Sequence, residues 1–421
     1  MIYNKPISLL IILSLILAPA PLVANHLPSH SAKTKELSSK AKTKSRKKVT
    51  KAYKKHEKRL QKAFKKYKKK VGKVWGKEAI IPDAKRDVTY RNNYKQRSII
   101  NYDEGVVKIE LALKPAIAKN PLTTKRKLIT AIKKAINQPP DERSIIEIAK
   151  RPTPPHSKRP AVLAGLVANI DDSPLTPEEL TDFAEAIAAA MQTHTLTGKD
   201  GKKRVVISTQ FKLVPDHIRI RAEKFSGSVN AYAEEHNIPA SLIFAVIETE
   251  SSFNPRAKSP IPAFGLMQLV PKTGARDAYR FLYSRDKVVK ERYLYDPDNN
   301  IQLGTAYLHL LYYKRFKKIE DPEARTWAMI AAYNAGSDSV IRSFTGRYTK
   351  RNYPSRYSWR RHAIKKINKL TSEGLYKHLR RHLPAKETRR YLKKIRSRMG
   401  KYGNSPTLPP VEAGSLPPLK L

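Results

Sequence analysis

The feature that most constrains the fold is an almost unbroken series of helical patterns from Ile218 onward. Apolar residues recur there at intervals of three and four, which places them on one face of an α-helix. The series predicts a compact, mainly α-helical domain over residues 216–400. The individual helices are predicted at 225–236, 239–250, 301–313, 323–334 and 358–369.

The preceding residues, 45–215, combine strand and helix signals and predict an α+β accessory domain. Apolar residues on both sides of the turn Asp103-Glu104-Gly105 are typical of a β-hairpin. The Pro-rich interval 151–160 indicates a linker or a long loop. Strands are predicted at 98–102, 106–111 and 204–213, and helices at 125–136 and 177–191.

The first 24 residues have the order of features that defines a secretory signal. A single cation, Lys5, precedes an apolar run over 7–17, and small and turn-forming residues lead to Ala24. Such a run is short for a membrane span, which needs about 20 residues. We therefore expect cleavage after Ala24, with an uncleaved anchor as the alternative. The expected location is the periplasm or cell envelope, with outer-membrane association as one option.

The sequence contains no cysteine and has a net charge of +48. An exported protein without cysteine has to hold its fold by packing alone. For the same reason we expect no lipid anchor of the Cys-linked kind. The charge favours polyanionic partners. Because the signal indicates export, we expect envelope polymers, lipid headgroups or peptide carboxylates, and no nucleic acid.

The charge is concentrated between Ala41 and Lys77, where eighteen Lys or Arg residues accompany one acid, Glu57. Apolar residues recur there at helical intervals and form one stripe on an otherwise cationic helix. One interpretation is that the stripe packs on the following domain, and the other is that the helix lies on an anionic membrane surface or envelope polymer; the two can both hold. The flanking basic segment 25–44 and the Pro-rich end 401–421 are predicted to be disordered. The stripe consists of Tyr53, Leu60, Phe64, Tyr67, Val71 and Trp75.

Four local patterns in the helical domain carry the candidate chemistry. In the first, Glu250 ends a strongly apolar helix, so we expect its carboxyl in surroundings of low dielectric constant. Desolvation and the negative end of the helix dipole both disfavour the anion and raise the pKa. A carboxyl that stays protonated near neutral pH can donate a proton to a glycosidic oxygen. The patterns are Glu250-Ser251-Ser252-Phe253-Asn254-Pro255, Gly265-Leu266-Met267-Gln268, Asp296-Pro297 with Asn300-Ile301 and Gly304-Thr305-Ala306-Tyr307-Leu308, and Ala332-Tyr333-Asn334-Ala335-Gly336.

Ordinary glycosidases need a second carboxylate, either as a nucleophile or to hold a water. Glu248 precedes Glu250 by two residues and therefore points about 200° around the helix. We expect Glu250 to act alone, with the substrate supplying the nucleophile. N-acetylmuramic acid meets this requirement, because its acetamido oxygen can stabilise a cation and its 6-hydroxyl can close onto C1.

The four patterns resemble the catalytic domain of the soluble-lytic-transglycosylase family, whose fold is related to goose-type lysozyme. The resemblance covers about 225–344 and continues through Glu387-Thr388-Arg389-Arg390-Tyr391-Leu392. It implies an enzyme that cleaves the β-1,4 bond between N-acetylmuramic acid and N-acetylglucosamine in peptidoglycan glycan strands, leaving 1,6-anhydro ends. The implied fold class is an α+β accessory domain followed by a mainly α-helical lysozyme-like catalytic domain.

The resemblance also implies roles for the site residues. Glu250 would be the acid and then the base, and Gln268 would contact acetamido or hydroxyl groups of the substrate. Met267 would pack beneath a sugar ring, with core packing as the alternative. Tyr333 would orient Glu250 or the acetamido carbonyl by its hydroxyl. Asn334 would support these groups and contact the substrate, with a cap at the helix end as the alternative. Weaker candidates for lining the groove are Ser251 and Tyr391.

Upstream segments resemble the accessory domain of the membrane-bound lytic murein transglycosylase C family. They include Val74-Trp75-Gly76-Lys77-Glu78 and the turn at 101–105. Members of that family usually carry a lipidated cysteine, which is absent here. Two alternatives stay open: a non-catalytic scaffold that binds peptidoglycan or an anionic polymer, and a lysozyme-type hydrolase.

We expect neither a cofactor nor a metal ion. His378 and His382 are four residues apart, but the usual zinc motif needs Glu after the first histidine, and Leu379 stands there. The basic and aromatic segment 347–361 has the composition of a nucleic-acid surface. Export favours the other interpretation, in which its rings stack on sugars and its cations pair with stem-peptide carboxylates.

Overall fold

The computed structural model describes residues 30–169, 173, 175–259 and 262–403, with side chains from Val49 onward. The chain divides into two compact units, Met1–Lys48 and Val49–Leu421. The predicted signal over 1–24 lies outside the described residues. The predicted Pro-rich tail over 401–421 lies outside them from residue 404 onward, and Lys401 belongs to the last helix.

The first helix, α1, spans His30–Trp75. The prediction of disorder over 25–44 is therefore wrong from His30 onward. The physical reason is that no Pro or Gly occurs between Pro28 and Gly72, so no residue in this interval interrupts a helix.

The sheet region, residues 49–215, contains one antiparallel sheet. Its strands are β1 (Arg86–Arg91), β2 (Gln96–Asn101), β3 (Val106–Leu113), β4 (Gln192–Thr197) and β5 (Lys203–Lys212), in the order β1-β2-β3-β5-β4. The predicted hairpin is confirmed, because β2 and β3 pair with Ile99 opposite Lys108. The third predicted strand is confirmed as β5. Strand β4 was not predicted, because its residues are mostly exposed and lack apolar alternation.

Four more helices accompany the sheet: α2 (Pro115–Ala118), α3 (Pro121–Ile136), α4 (Ile145–Ile148) and α5 (Leu180–Ala189). Alternate residues of the central strands point to opposite faces of the sheet. Ile109 and Ile207 pack with residues of α3 and α5 on one face. Ile99 and Val206 pack with residues of α1 on the other. Both faces of the central strands are thus buried.

The apolar stripe of α1 is buried against the rest of the protein. Tyr67, Val71 and Trp75 lie in the core beneath the sheet. Farther up the helix, His56 Nε2 lies 2.7 Å from Glu291 Oε2, a residue of the second half of the chain. The interpretation that the stripe packs on the following domain is therefore confirmed. Insertion of the same stripe into a membrane is not available to this structure, whereas the lysines of the opposite face remain exposed.

The helical region, residues 216–403, contains eleven described helices. They are α6 (His217–Glu223), α7 (Ser226–His236), α8 (Ala240–Ser251), α9 (Gly274–Tyr283), α10 (Glu291–Leu294), α11 (Pro297–His309), α12 (Pro322–Ala335), α13 (Ser337–Thr345), α14 (Arg356–Ile367), α15 (Ser372–His382) and α16 (Lys386–Lys401). A π-helical stretch, Leu310–Arg315, continues α11. The five predicted helices are confirmed as α7, α8, α11, α12 and α14, with ends shifted by a few residues.

Helices α8 and α12 form the centre of this region. They are apolar on nearly all sides, which is typical of a helix surrounded by others. Leu242, Ile243 and Ile247 of α8 are fully buried, as is the run 327–332 of α12. Polar side chains at the ends of these two helices are therefore held by a rigid core. None of the described helices is long and apolar enough to span a membrane.

Replacing Trp75 by alanine tests the contact between α1 and the sheet. Trp75 is 0% exposed, its Nε1 donates to Tyr94 O at 2.6 Å, and the Arg97 guanidinium lies 3.7 Å from its ring centre. Trp75→Ala should lower the free energy of unfolding by about 3–5 kcal/mol, measured by urea denaturation. Lys73→Ala, on the exposed face of the same helix, should change it by less than about 0.5 kcal/mol. Equal effects of the two changes would contradict this packing.

Candidate active site

Glu250 lies in the last turn of α8, where the backbone leaves the helix abruptly. Ser252 and Phe253 have φ angles of 48° and 58°. Positive φ is uncommon for residues other than glycine and is a source of strain for a bulky side chain. Phe253 is held there because it is 1% exposed and stacks on Phe225 at 6.4 Å between ring centres. The core thus fixes the exit of the chain next to Glu250.

Burial raises the pKa of the Glu250 carboxyl to about 7. The Tyr391 hydroxyl and the Lys85 ammonium oppose this shift, and the negative charge of Glu387 adds to it. Tyr391 is 5% exposed, and its hydroxyl is near enough to lower the pKa of Glu250, although it has no partner at hydrogen-bond geometry within the described part of the chain. Glu250 is therefore partly protonated near neutral pH and has a phenol beside it that can stabilise the anion.

Glu248 is held on another side of α8, as predicted. Its carboxylate accepts a hydrogen bond of 2.7 Å from the Tyr402 hydroxyl and pairs with Arg398 Nε at 3.0 Å. Burial opposes its ionisation, but the Tyr402 hydrogen bond and the Arg398 charge keep the pKa of Glu248 below its usual value. Glu248 is therefore an anion engaged in the attachment of α16 to α8.

The turn that carries Gln268 is fastened by Asn300, which is 0% exposed. Asn300 Oδ1 accepts from the Met267 backbone N–H at 2.8 Å, and its Nδ2 donates to Phe264 O at 2.9 Å. Gly265 has a φ of 77°, and a Cβ there would lie 2.1 Å from Leu294 O. Asn300, from the third sequence pattern, thus holds the second pattern, residues 265–268, in place. Gly265 permits the close approach of this turn to Leu294 O.

Gln268 lies at the site, and its side-chain oxygen is an acceptor without a hydrogen-bond partner among the described residues. Its φ is 47°, a third positive value among the non-glycine residues of this site. Its Nε2 donates to Gly265 O at 3.0 Å. Its buried Oε1 has no hydrogen-bond partner within the described residues. A buried carbonyl oxygen without a donor is costly unless a ligand or water supplies one.

Two of the sequence candidates are in the core and cannot touch a ligand in this structure. Met267 is 0% exposed, and its Sδ would lie 2.2 Å from a Cβ placed on Gly304. Ser251 is also 0% exposed, and its hydroxyl donates to Ile247 O at 3.0 Å. The expectation of a sugar contact at Met267 and of groove lining at Ser251 is therefore corrected. Met267 takes the alternative role of core packing, because the absence of a side chain at Gly304 leaves room for it.

Tyr333, near the end of α12, lies beside Glu250 without donating to it. Its hydroxyl donates to Met267 O at 2.8 Å. Burial and then the charge of Glu250 raise the pKa of Tyr333 well above its usual value. The expected orientation of Glu250 by the proton of this hydroxyl is thus not seen, because Met267 O takes the proton. The hydroxyl oxygen keeps its capacity to accept a hydrogen bond.

Asn334 connects α12 to α16. Its Oδ1 accepts a hydrogen bond of 2.7 Å from the Thr388 hydroxyl, and Thr388 is 1% exposed. Thr388 lies in the first turn of α16, one turn before Tyr391. The contact therefore places the Tyr391 phenol and the Glu387 carboxylate near Glu250. In this role Asn334 neither caps the helix end nor supports Tyr333 directly.

The sheet region supplies residues that sequence reasoning missed. Lys85 Nζ donates to Glu248 O at 2.6 Å and to the Ser252 hydroxyl at 2.8 Å. The Ser252 hydroxyl in turn donates to Asp103 Oδ1 at 2.6 Å. A cation at the C-terminal end of α8 stabilises the helix dipole and lies near Glu250. The only sequence signal was the turn at 101–105, which suggested a family resemblance but no contact with α8.

Two family profiles match the chain. "Membrane-bound lytic murein transglycosylase C, N-terminal domain" matches residues 53–224, and "Transglycosylase SLT domain" matches residues 227–355. Membrane-bound lytic murein transglycosylase C of Cronobacter sakazakii is 32% identical over 333 residues, which are 78% of this chain and 85% of the relative. The chain belongs to the membrane-bound lytic murein transglycosylase C family. It is a lytic transglycosylase.

The protein of the same name from Klebsiella pneumoniae is 33% identical over 330 residues, 78% of this chain and 85% of its own. Among solved structures, the 70 kDa soluble lytic transglycosylase of Escherichia coli is 26% identical, with a TM-score of 0.31 over 44% of this chain and 26% of that chain. Glu250, Gln268 and Tyr333 fall within the matched transglycosylase profile. Glu387 and Tyr391 follow it in the sequence and reach the site through α16.

The effect of Lys85 on Glu250 can be measured directly. Lys85→Met removes a positive charge that lowers the pKa of Glu250, so this pKa should rise above about 7. Lys85→Arg keeps the charge and should leave the pKa near its original value. The measurement is a carboxyl ¹³C NMR titration, in which Glu250→Gln identifies the signal. An unchanged pKa in Lys85→Met would show that the ammonium does not act on Glu250.

Proposed function

We propose that the enzyme cleaves the β-1,4 bond between N-acetylmuramic acid and N-acetylglucosamine in peptidoglycan and leaves a 1,6-anhydromuramyl end. The observation that carries the proposal is the half-buried Glu250 carboxyl at the end of α8, whose pKa is raised to about 7 by desolvation. The neighbouring carboxylate on the same helix, Glu248, is occupied by Arg398 and Tyr402. One group that can hold and release a proton is therefore available at the end of α8.

In the first step the protonated Glu250 donates its proton to the glycosidic oxygen as the bond to C1 breaks. The departing sugar leaves with a new hydroxyl group. The acetamido oxygen of the muramyl unit stabilises the positive charge that develops at C1. Glu250 is then a carboxylate, and the Tyr391 hydroxyl, which has no other partner among the described residues, can donate to it.

In the second step the same carboxylate takes the proton of the muramyl 6-hydroxyl, whose oxygen forms a bond to C1. The proton lost in the first step returns to Glu250, so no water is consumed and the enzyme is regenerated. A pKa near neutrality suits both directions of proton transfer, because the protonated acid and its conjugate base are then both populated near neutral pH.

Gln268 has the features of a substrate contact. Its Oε1 is buried and unpaired within the described residues, so an acetamido N–H or a sugar hydroxyl would satisfy it. The strained backbone at Gln268 and at the end of α8 supports the assignment, since strain is concentrated at functional sites. Tyr391 lines the same site, whereas Tyr333 and Asn334 hold the surrounding structure.

The two halves of the chain have separate roles in this proposal. Residues 45–215 form an accessory domain, and residues 216–400 form a lysozyme-like catalytic domain to which Lys85 and Asp103 reach across. Export to the periplasm or cell envelope brings the enzyme to its substrate. The exposed cationic face of α1 supports additional contact with an anionic membrane surface or envelope polymer.

A lysozyme-type hydrolase is the second candidate, and one observation favours it. Glu387 is close enough to raise the pKa of Glu250, and it is exposed, so it could hold a water. The lytic transglycosylase is preferred because the family of the chain carries that activity in its name.

Product analysis separates the two reactions. Purified peptidoglycan should yield muropeptides with anhydro ends, measured by mass spectrometry after chromatography. A hydrolase would yield products with reducing ends that are heavier by one water. Predominance of the heavier products would overturn the transglycosylase mechanism and make Glu387 the next residue to test.

Glu250→Gln should lower the rate of peptidoglycan cleavage by at least about 10³-fold, because an amide can neither donate nor recover the proton. Turbidity of a peptidoglycan suspension measures the rate, and circular dichroism checks the fold. Glu234→Gln, at an exposed position of α7, is the matched control and should be fully active. Activity retained in Glu250→Gln would remove this residue from the mechanism.

The pH dependence follows from the pKa of about 7. The first step needs protonated Glu250, so kcat/KM should be high below that pKa and fall as the pH rises through it, approaching about tenfold per unit above it. Kinetics on soluble glycan strands between pH 3 and 9 measure the profile. A fall centred near pH 4.5, the ordinary value for Glu, would show that the carboxyl is not buried in the working enzyme.

A further inference from the structure

The chain leaves α8 through a segment that the sheet region holds in place. Lys85 Nζ donates to Glu248 O at 2.6 Å and to the Ser252 hydroxyl at 2.8 Å. These two acceptors lie two residues before and two residues after Glu250 in the chain. The Ser252 hydroxyl donates to Asp103 Oδ1 at 2.6 Å, and Lys85 Nζ lies 3.6 Å from the same oxygen. The sheet region thus contacts the chain on both sides of Glu250.

Two further contacts fasten the residues that follow. Asn254, which is 1% exposed, donates from Nδ2 to Ala84 O at 3.3 Å. Arg256 Nη2 donates to Arg143 O at 2.6 Å. Every second residue from 252 to 256 is therefore bound to the sheet region. We call this set of contacts the α8 clamp: Ala84, Lys85, Asp103 and Arg143 on one side, and Glu248, Ser252, Asn254 and Arg256 on the other.

The sheet side of the α8 clamp is itself held in position. The Tyr102 backbone N–H donates to Lys85 O at 2.9 Å, which ties the loop before β1 to the turn between β2 and β3. The Lys85 backbone N–H donates to Asp83 Oδ1 at 2.9 Å. Tyr102 is 2% exposed, and its carbonyl oxygen accepts from Arg221 Nη2 at 2.8 Å. Lys85 and Asp103 therefore belong to one supported unit.

The segment after Glu250 needs such support because its backbone is strained. Ser252 and Phe253 have φ angles of 48° and 58°, and a strained conformation persists only where the surrounding structure fixes it. Core packing holds Phe253, whereas the α8 clamp holds Ser252. Without the clamp the last turn of α8 could relax, and Glu250 lies in that turn. A shift of about 1 Å in a reacting group can lower a rate by about 100-fold.

We propose that Lys85 and Asp103 are positioning residues for the lytic reaction, which hold the last turn of α8 so that the Glu250 carboxyl reaches the glycosidic oxygen. The inference rests on the proposed function, because that function assigns the proton transfer to Glu250. It gives the sheet region a part in turnover, through the geometry of α8. An ammonium group suits this position, because it has three donors and meets the negative end of the helix dipole.

Lys85→Cys tests the proposal, since the sequence contains no cysteine of its own and the Lys85 side chain is 25% exposed. At pH 6, kcat on soluble glycan strands should fall about 10- to 100-fold, and KM should change by less than about twofold. Loss of the cation raises the pKa of Glu250 above about 7, so the carboxyl is protonated at pH 6 in both proteins. A lower kcat at this pH therefore reports geometry and not protonation.

Alkylation of the introduced thiol provides the rescue. Reaction with 2-bromoethylamine joins an aminoethyl group to the sulfur with loss of bromide, and restores an ammonium group at nearly the length of a lysine side chain. This product should recover most of the lost kcat and the wild-type pH profile. Reaction with iodoacetamide adds a neutral amide of similar size, which should recover less kcat and leave the fall of kcat/KM at a raised pH. Mass spectrometry checks that each alkylation is complete.

Asp103→Ala removes the acceptor of the Ser252 hydroxyl. Asp103 is not among the groups that shift the pKa of Glu250, so kcat should fall without movement of the pH profile. In combination with Lys85→Cys the further loss should be smaller than in the wild type, because both residues act through Ser252. Should Lys85→Cys be unfolded, Asp103→Ala decides the same question, since the Asp103 side chain is 51% exposed.

Lys70→Cys is the matched control. Lys70 Nζ also donates to a backbone oxygen, Ala149 O at 3.0 Å, but this contact stays within the sheet region. The variant should keep the wild-type kcat and pH profile. Urea denaturation of every variant separates lost activity from lost folding.

Several results would overturn the proposal. They are a wild-type kcat in folded Lys85→Cys or folded Asp103→Ala, an equal loss of kcat in Lys70→Cys, and a rise in KM alone, which would make Lys85 a substrate contact. Equal recovery with both alkylating reagents would show that the side chain only fills space. Full activity of Glu250→Gln would instead refute the proposed function, and this inference with it.

Discussion

The proposed chemistry depends on the cost of placing a carboxylate at the half-buried end of an apolar helix. The α8 core has almost no polar group that could stabilise the Glu250 anion, so burial raises its pKa to about 7. Two groups limit this cost: the Tyr391 phenol and the Lys85 ammonium. The balance leaves a group that can exist in either protonation state near neutral pH, and the proposed reaction requires both states.

The groups that set this balance come from distant parts of the sequence. Tyr391 is brought in by α16, which is attached through Thr388 to Asn334 and through Arg398 to Glu248. Lys85 comes from the sheet region and binds the last carbonyl groups of α8. The sheet region is therefore joined to the end of α8 by hydrogen bonds.

The large positive charge is distributed over surfaces with different surroundings. On α1 the apolar stripe is buried against the sheet, and the lysines of the other face are exposed to solvent from residue 49 onward. In the helical region, seven Lys or Arg residues line a cavity of about 610 Å³. Exposed charges such as those of α1 suit attraction to an anionic surface, which salt weakens.

The sequence by itself determined the elements whose signal is local. Apolar periodicity predicted α7, α8, α11, α12 and α14, the hairpin of β2 and β3, and the stripe of α1, because each pattern reflects one face turned to a core. It also identified Glu250 and showed that Glu248 points away from it, since both follow from position on one helix. Strand β4 escaped prediction because its exposed side chains carry no periodicity.

Only the tertiary structure decided the surroundings of Glu250. Met267 and Ser251 stand in the right patterns but are buried, since Gly304 makes room for one and Ile247 O takes the hydroxyl of the other. Lys85 and Asp103 are about 150 residues away from α8 and give no sequence signal of their contact with it. The pKa of a buried carboxyl depends on which charges and donors the fold brings near it, and that information is not present in any local pattern.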